Sequence, residues 1–322
     1  MNLSGATILV TGGAGLVGSA TIDLLLQSGD PARVVILDNL SRGTTTNIEA
    51  ALRDPRVVLL ERDIRDRAAV ESAMTGVDAV MHFAALRITS CAAEPREAFE
   101  VMCAGSYNVV EAAQRADVRR VVAASTASVY GLADCFPTTE DHHPYNNRTW
   151  YGASKLMLEG LLRSFNDIYG LPYVALRYFN VYGPRMDIHG KYTEVLIRWM
   201  ERIENGQPPL ILGDGTQTMD FVYVEDVARA NVLALTGDVS DEVFNVATGT
   251  ETSLNDLARM LTRVMEKRVE PEYGPERKVN AVPRRLGSTQ KAERLLGFRA
   301  SIGLEEGLTR LVAWWRAERV RT

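Results

Sequence analysis

Thr7-Ile8-Leu9-Val10-Thr11-Gly12-Gly13-Ala14-Gly15-Leu16-Val17-Gly18 sets a short β-branched run before three spaced glycines. Thr7–Val10 reads as a strand, and Ser19–Gln27 carries apolar residues at helical spacing up to a stop at Ser28-Gly29. Strand, glycine turn and helix in that order are the setting that a dinucleotide-binding fingerprint requires. The glycines fall at 12, 15 and 18, a spacing of three and three where two and three is commoner. Gly12 permits a tight turn, Gly15 lets the backbone approach a pyrophosphate, and Gly18 lets helix and strand pack closely. Gly15, Leu16 and Val17 lead into a helix N-terminus whose unpaired N–H groups and positive dipole end suit phosphates.

The next strand, Arg33–Leu37, ends at Asp38, twenty residues beyond Gly18. An acidic side chain there accepts from both ribose hydroxyls and repels a 2′-phosphate, which selects NAD over NADP. Outside such a motif an aspartate after an apolar run is an ordinary turn residue. Val57–Leu60 is a strand leading to Asp63-Ile64, whose side chain and backbone are placed to meet an adenine. A helix over about 66–74 follows, then the strand Ala79–Phe83 and the small pair Ala84-Ala85. Such small residues suit either close passage of a cofactor or plain packing. Glu94–Arg115 reads as helix, divided by Pro95, and Val121–Ala124 as a strand ending in Ser125-Thr126-Ala127-Ser128-Val129-Tyr130-Gly131. This alternation predicts an α/β fold with a Rossmann-type, doubly wound parallel sheet, whose ligands sit at the carboxyl ends of the strands. Thr126 stands at such an end, where its hydroxyl can donate to a substrate oxygen or cap its own loop.

Tyr151-Gly152-Ala153-Ser154-Lys155 heads an apolar segment running to Gly170. Tyr151 and Lys155 are one helical turn apart and share a face. A lysine ammonium beside a phenol favours the phenolate and is expected to lower the tyrosine's pKa toward neutrality, making it an acid/base group. The strand Tyr173–Tyr178 follows, and then the character of the chain changes. Gly183-Pro184-Arg185, His189-Gly190-Lys191, Gly206-Gln207-Pro208-Pro209 and Gly213-Asp214-Gly215 break up short elements around a helix at Tyr192–Glu204. Ala228–Leu235 reads as helix, Val243–Ala247 as a final strand, and Ser253–Val264 and Gly303–Arg316 as amphipathic helices. Residues 1–177, with a return at about 219–247, are expected to form the NAD-binding domain. Residues 178–218 and 248–322 are expected to form a smaller C-terminal substrate-binding lobe.

Bulk properties narrow the field. The 322 residues suffice for one large α/β domain and a smaller one. A net charge of −5 argues against nucleic acid as a partner. The apolar runs Val34–Leu37 and Val57–Leu60 are far too short to span a bilayer, and no basic leader precedes the first strand. Cys91, Cys103 and Cys135 cannot all pair and lack metal-ligand spacing, which fits reduced thiols in the cytoplasm. His82 ends an apolar strand and His142-His143 sit in a polar loop, so no metal is expected.

Gly12-x-x-Gly15-x-x-Gly18, Asp38, Asp63, Thr126 and Tyr151-x-x-x-Lys155 together resemble the extended short-chain dehydrogenase/reductase family. Asp38-Asn39-Leu40-Ser41, Tyr178-Phe179-Asn180-Val181-Tyr182-Gly183-Pro184 and Gly213-Asp214-Gly215 resemble, more narrowly, its nucleotide-sugar 4-epimerases and dehydratases. The resemblance runs in order from about residue 7 to residue 297. It implies NAD held by Gly12, Gly15, Leu16, Val17, Asp38, Asn39, Ser41, Asp63, Ile64, Phe83, Ala84, Ala85, Tyr178 and the Tyr151/Lys155 pair. It implies a catalytic trio of Thr126, Tyr151 and Lys155, with Asn180 and the Gly213 region on the nucleotide and Arg285 on the diphosphate. Three positions depart from the family pattern: Met219 where a second diphosphate-binding arginine is usual, Ser288 where aspartate is usual, and Met102 where asparagine is common.

The same resemblance bears on the reaction. Dehydratases of this family carry an Asp-Glu pair after the threonine, and decarboxylases usually a glutamate at the position of Ser128. Ala127 and Ser128 cannot ionise, which leaves 4-epimerisation through a transient 4-keto sugar. Arg177–Met186 and the loop from Asp187 to Lys191 are similar to UDP-glucuronate 4-epimerases, including those of moenomycin-type antibiotic biosynthesis. That implies UDP-glucuronate as substrate, its carboxylate met by Arg185, Arg87, Thr126 and Ser128. UDP-glucose or UDP-N-acetylglucosamine 4-epimerisation is the alternative, and a non-catalytic NAD-binding scaffold the reading from another class. The helix from Tyr151 carries Leu156, Met157, Leu158, Leu161, Leu162 and Phe165, broader than one buried stripe. A family-type homodimer through this helix and 101–113 would use that breadth, as would burial within the monomer.

Overall fold

Runs of β-branched and apolar residues buried on both faces build the central strands, as a sheet covered on each side demands. The computed structural model describes residues 1–188, 194–276 and 282–321. Its first six strands are β1 (Thr7–Thr11), β2 (Arg33–Asp38), β3 (Val57–Glu61), β4 (Ala79–His82), β5 (Arg120–Thr126) and β6 (Tyr173–Tyr178). Three short strands follow, β7 (Asn180–Tyr182), β8 (Leu210–Leu212) and β9 (Thr218–Tyr223), before β10 (Glu242–Val246) returns to the large sheet. That sheet is parallel throughout, in the order β3-β2-β1-β4-β5-β6-β10. The strand order reverses between β1 and β4, the crevice where ligands bind in folds of this kind.

Helices α1 (Leu16–Ser28), α2 (Glu49–Leu52), α3 (Arg67–Ala73), α4 (Ile88–Ala93), α5 (Pro95–Phe99), α6 (Ser106–Arg115) and α7 (Trp150–Tyr169) fall between these strands. Later come α8 (Val195–Glu204), α9 (Val224–Thr236), α10 (Leu254–Val264) and α11 (Leu304–Arg321). One core lies between the sheet and α1 and α9, through Ile22, Leu25, Val227 and Ala234. The opposite core lies under α3, α6 and α7, through Val70, Val110, Leu158 and Leu162. A third gathers Trp199, Met200, Leu257, Leu261 and Trp315 from α8, α10 and α11. Beside it β9 pairs with β7, β11 (Glu251–Ser253) and β13 (Arg284–Arg285), while β12 (Glu272–Gly274) pairs with β8.

Several element boundaries differ from expectation for local reasons. α1 begins at Leu16 rather than Ser19, because Gly15 caps it in an extended conformation. α9 begins at Val224 rather than Ala228, and its first turn carries Glu225 and Asp226, which favour a helix N-terminus. The break at Pro95 is present: Glu94 has non-helical backbone angles and separates α4 from α5. A π-helical turn at Glu100–Gly105 then joins α5 to α6. α8 starts at Val195, and Tyr192 and His189-Gly190-Lys191 lie outside the described residues. β9 belongs to the small sheet, so the chain rejoins the large one through α9 and β10.

Candidate active site

A cavity of about 1770 Å³ runs along the carboxyl ends of the central strands and on toward α8 and α11. Single-ligand pockets measure roughly 300–1,000 Å³, so this one has room for a dinucleotide and a second ligand. Every expected cofactor and substrate residue except Gly213 lines it. Gly213 adopts a left-handed conformation and lies outside the lining, where Leu212, Gln217 and Glu276 stand instead.

The glycine loop fits a pyrophosphate. Gly12 has φ of +70°, and a Cβ there would lie 2.6 Å from the Ala84 nitrogen, too close to exist. A Cβ on Gly18 would lie 2.3 Å from the Gly12 carbonyl oxygen. The loop is thus pressed onto the β1/β4 crevice. No side chain caps α1 and its first turn holds no acid, which leaves its N–H groups facing the cavity for an anion. Asp38, buried at the end of β2, accepts from the Ala14 N–H and the Leu40 N–H at 2.9 Å each. Burial pushes its pKa up against those two bonds. Each oxygen keeps a second lone pair that a ribose hydroxyl can use.

Asp63 is less available than expected. One oxygen accepts from the Arg65 backbone N–H and Nε, the other from Arg65 Nη2 and Asn39 Nδ2. Arg65, the main cause, holds its pKa down at about 2. All four acceptor directions are filled, so an adenine contact through this carboxylate needs Arg65 or Asn39 to move.

Tyr151, Lys155 and Thr126 converge. Thr149 caps α7, its hydroxyl accepting from the Gly152 N–H at 3.1 Å. A Cβ on Gly152 would lie 2.6 Å from the Ser128 carbonyl oxygen, so only glycine lets α7 sit against the catalytic loop. Thr126 does cap its own loop, accepting from the Ser128 N–H at 3.1 Å. Its hydroxyl proton stays free, and it is within hydrogen-bonding reach of the Tyr151 phenol. The buried Lys155 ammonium donates to the Ala124 carbonyl at 2.7 Å.

The expected lowering of the Tyr151 pKa is not what this site produces. Burial pushes the phenol up to about 12, with the nearby Cys91 thiol and Glu194 adding to the rise. The Thr126 hydrogen bond and the Arg42 charge pull the other way without winning. Burial likewise lowers Lys155 to about 8, against the pull of Cys91 and Glu159, so desolvation dominates both groups.

Comparison with known proteins agrees with this geometry. Residues 8–247 match the model of the NAD dependent epimerase/dehydratase family. The chain belongs to that family. It is 37% identical over 312 residues to a putative UDP-glucose 4-epimerase of Methanocaldococcus jannaschii, covering 96% of this chain and 98% of the relative. The structure of Thermotoga maritima UDP-glucose 4-epimerase with UDP-glucose superimposes with a TM-score of 0.91 at 34% identity, covering 97% and 99% of the two chains. UDP-glucuronic acid 4-epimerase of Bacillus cereus, in complex with UDP-glucuronic acid and NAD, gives 0.89 at 28% identity, covering 97% and 99%. The protein is an NAD-dependent nucleotide-sugar epimerase.

The epimerase's departures from its family's pattern have visible local consequences. Met102 takes the Leu86 N–H on its sulfur at 3.2 Å, the kind of contact an asparagine side chain would also accept. Ser288 works through its backbone, which binds Thr138 and Asn245. Met219 on β9 is the register partner of Arg285 on β13, and both line the cavity. Arg285 donates to the Ser128 hydroxyl at 3.2 Å, linking β13 to the catalytic loop.

Arg185, expected at the sugar, pairs with Asp23 of α1 at 2.7 Å. Arg87 points into the cavity, 3.6 Å from both Asp187 and Glu194. The sequence marked Asp187 only as the start of a loop and did not point to Glu194, nor to Arg42 as a charge that reaches Tyr151 and Arg87. They arrive from separate loops with no spacing to mark them. The hydroxyl of Tyr178, a cavity residue, donates to Asn231 at 2.6 Å, while Asn180 donates to the Asp220 carbonyl at 2.9 Å. In the loop after the catalytic strand, Asp134, His142 and His143 bring their ligand atoms within 4.8 Å of one another. The two imidazoles stack there, and His142 contacts Asp134 at 2.9 Å. No helix of the described residues is long and apolar enough to cross a membrane.

Proposed function

We propose that Thr126, Tyr151 and Lys155 carry the 4-epimerisation of a UDP-sugar, and that the sugar is glucuronate, converted to galacturonate. The observation that carries the catalytic assignment is the convergence of the Tyr151 phenol with the Thr126 hydroxyl beside a catalytic loop, Ala127-Ser128, that cannot ionise. NAD, when bound, accepts a hydride from carbon 4 and returns it to the opposite face. Tyr151 takes the proton of the 4-hydroxyl and gives it back, Thr126 orients the 4-oxygen, and Lys155 stabilises the phenolate. A phenol pushed up to about 12 needs that help, because an ideal acid/base group has a pKa near the working pH. Gly12, Gly15, Leu16, Val17, Asp38, Asn39, Ser41, Ile64, Phe83, Ala84, Ala85 and Tyr178 line the NAD side. Asn180 and Arg285 take the nucleotide side. Residues 1–177 with the return through α9 and β10 then serve as the NAD domain, and β7 to β9 with residues 248–322 as the sugar-nucleotide lobe.

Arg42, whose charge reaches Tyr151, and Arg87, which lines the same cavity beside Arg42, favour a uronate carboxylate. A neutral sugar is the second reading, because Asp187 and Glu194 already balance Arg87 and Arg185 is committed to Asp23. Incubation with UDP-glucuronate, UDP-glucose and UDP-N-acetylglucosamine, with products resolved by NMR, decides between them. Epimerisation of UDP-glucuronate at a kcat/KM at least tenfold above the others supports the first reading, and the reverse order overturns it. Failure to epimerise any of the three while NAD stays bound would support the scaffold reading. Changing Tyr151 to Phe should remove about 10²–10⁴-fold of turnover and leave NAD binding intact. Tyr107, Met157, Ile168 and Tyr169 lie exposed on α6 and α7, which supports a homodimer through these helices. Light scattering at the monomer mass would overturn it.

A further inference from the structure

Beneath the catalytic trio lies a buried chain of polar contacts that none of the roles above employs. Glu159 sits on α7 one turn beyond Lys155, and only 6% of it is exposed. Its Oε1 accepts from the Ser125 hydroxyl and from Arg177 Nε at 2.9 Å, and its Oε2 from Arg177 Nη2 at 2.7 Å. Arg177, on β6, also donates from Nη1 to the Tyr130 hydroxyl and the Glu140 carbonyl, each at 2.9 Å. Its guanidinium stands 4.8 Å from the centre of the Tyr130 ring. The Tyr130 hydroxyl donates to Asn245 Oδ1 at 2.6 Å, and Asn245 Nδ2 donates to the Thr138 and Ser288 carbonyls. The contacts therefore run unbroken from Ser125, the neighbour of Thr126, to Ser288, three residues past Arg285.

A buried ion pair is a poor source of stability, since well-packed apolar residues of similar volume often do as well or better. It does impose geometry. Arg177 presents a fixed planar fork, and Glu159 meets it with both oxygens while still holding Ser125. Ser125 and Thr126 are consecutive on β5, and Glu159 shares α7 with Tyr151 and Lys155. The Ser125–Glu159 bond is thus the side-chain tie between the strand that carries Thr126 and the helix that carries Tyr151. Lys155 makes a parallel tie to Ala124.

We propose that Glu159, held by Arg177, is a positioning residue that sets the separation between the Thr126 hydroxyl and the Tyr151 phenol. The proposal rests on the catalytic roles given above to those two residues. A misplacement of about 1 Å at a reacting centre can cost on the order of 100-fold in rate, so loosening this tie acts on turnover rather than on binding. Glu159 also places a negative charge near Lys155, whose other charged or titratable neighbours are Cys91 on α4, His82 on β4 and Tyr151 on α7.

Two variants test it. Ser125→Ala removes only the tie and adds no buried charge, so it folds even where alterations of Glu159 do not. It should lower kcat about tenfold, leave KM for the UDP-sugar and the calorimetric Kd for NAD within twofold, and keep in place the alkaline limb of the pH profile that loss of the Lys155 proton, near pH 8, would set. Glu159→Gln keeps an acceptor for Ser125 but removes the charge, and it should move that alkaline limb to lower pH. The proposal is overturned if Ser125→Ala turns over within twofold of wild type, or if its loss appears in KM and NAD affinity alone. Tyr151→Phe run in parallel separates the failures. If Tyr151→Phe keeps its activity, the catalytic roles fall; if it is inactive while Ser125→Ala is normal, only the positioning role falls.

Discussion

A Cβ placed on Gly18 would lie 2.3 Å from the Gly12 carbonyl oxygen, whereas one placed on Gly213 would meet nothing nearer than 3.6 Å. Both glycines belong to motifs of the same family, yet only the first is held by close packing. In the sheet half the backbone itself shapes the site, pressed from β1 and α1 against the end of β4. In the proposed substrate lobe, the smaller of the two, the site is shaped by long charged side chains, Arg285 and Arg185, each with a partner drawn from another element. Close packing leaves little freedom to a substitution, while a long side chain can find another partner. Damage to the sheet half should therefore remove function, and damage to the smaller lobe should grade it.

Between the two halves, the largest effect expected is on Gly18→Ala. The methyl has only backbone to push against, so overpacking should cost on the order of 3 kcal/mol and displace the loop. NAD affinity by calorimetry should fall at least tenfold, and the unfolding midpoint should drop. Gly213→Ala has φ of +90° but open space, so backbone strain of about 1–2 kcal/mol is expected, with NAD affinity unchanged. Equal losses of NAD affinity in both variants would erase the contrast between the halves.

Next comes Arg285→Met in the smaller lobe. Loss of a charge-assisted contact to the diphosphate, worth about 1.5–3 kcal/mol, should raise KM roughly 10–100-fold. Turnover at saturation should change little, since the contact of Arg285 with the catalytic loop is to the Ser128 hydroxyl rather than to Thr126 or Tyr151. A fall in kcat with KM unchanged would move Arg285 from binding to chemistry.

These contrasts also explain what could be read in the sequence. The Rossmann sheet was legible because its demands are local: β-branched runs, glycines at 12, 15 and 18, and an acid closing β2. Tyr151, Lys155 and Thr126 were legible because a helical turn and a strand end bring them together. The partners of Arg185 and Arg87 were not, because they depend on where remote loops pack, whereas Arg65, two residues past Asp63, is local but carries no motif that marks it as a partner. The electrostatics of Tyr151 were missed for a related reason. Spacing puts a lysine near a phenol, but the depth of burial, which dominates both pKa values, is a property of the whole fold. The short strands around β9 escaped notice because three-residue strands carry almost no periodicity.

A smaller effect comes from beneath the sheet half's crevice. His82 is fully buried between the Thr11 and Ser106 hydroxyls, and burial, with Lys155 assisting, lowers its pKa from 6.5 to about 3. The unfolded chain binds this proton more readily, so the stabilisation is complete above pH 6.5 and is lost as pH falls toward 3. His82→Gln should remove a slope of up to about 1.4 kcal/mol per pH unit in that window. The difference between the two proteins, measured by urea unfolding from pH 4.5 to 7, isolates His82 from the carboxylates. Parallel stability curves would show that the imidazole is charged in the folded state.

The smallest effect should come from Met219→Arg, which restores the family's usual residue. Met219 is half-buried on β9, in register with Arg285 on the neighbouring strand. Two guanidiniums on adjacent strands repel each other, so the free enzyme should lose a few tenths of a kcal/mol, in line with like charges placed opposite in a sheet. A bound diphosphate turns that repulsion into a paired grip, but the pair remains partly open to water and is therefore worth only about 0–1 kcal/mol. KM for the UDP-sugar should fall twofold to fivefold, with a steeper dependence on salt than in wild type. An unchanged KM would mean that the smaller lobe already completes its hold on the diphosphate elsewhere. Arg198 of α8, exposed and lining the same cavity, is the residue to replace next. A raised KM in Arg198→Ala would then show the lobe recruiting a cation from another helix, the substitution of partners that the closely packed sheet half cannot make.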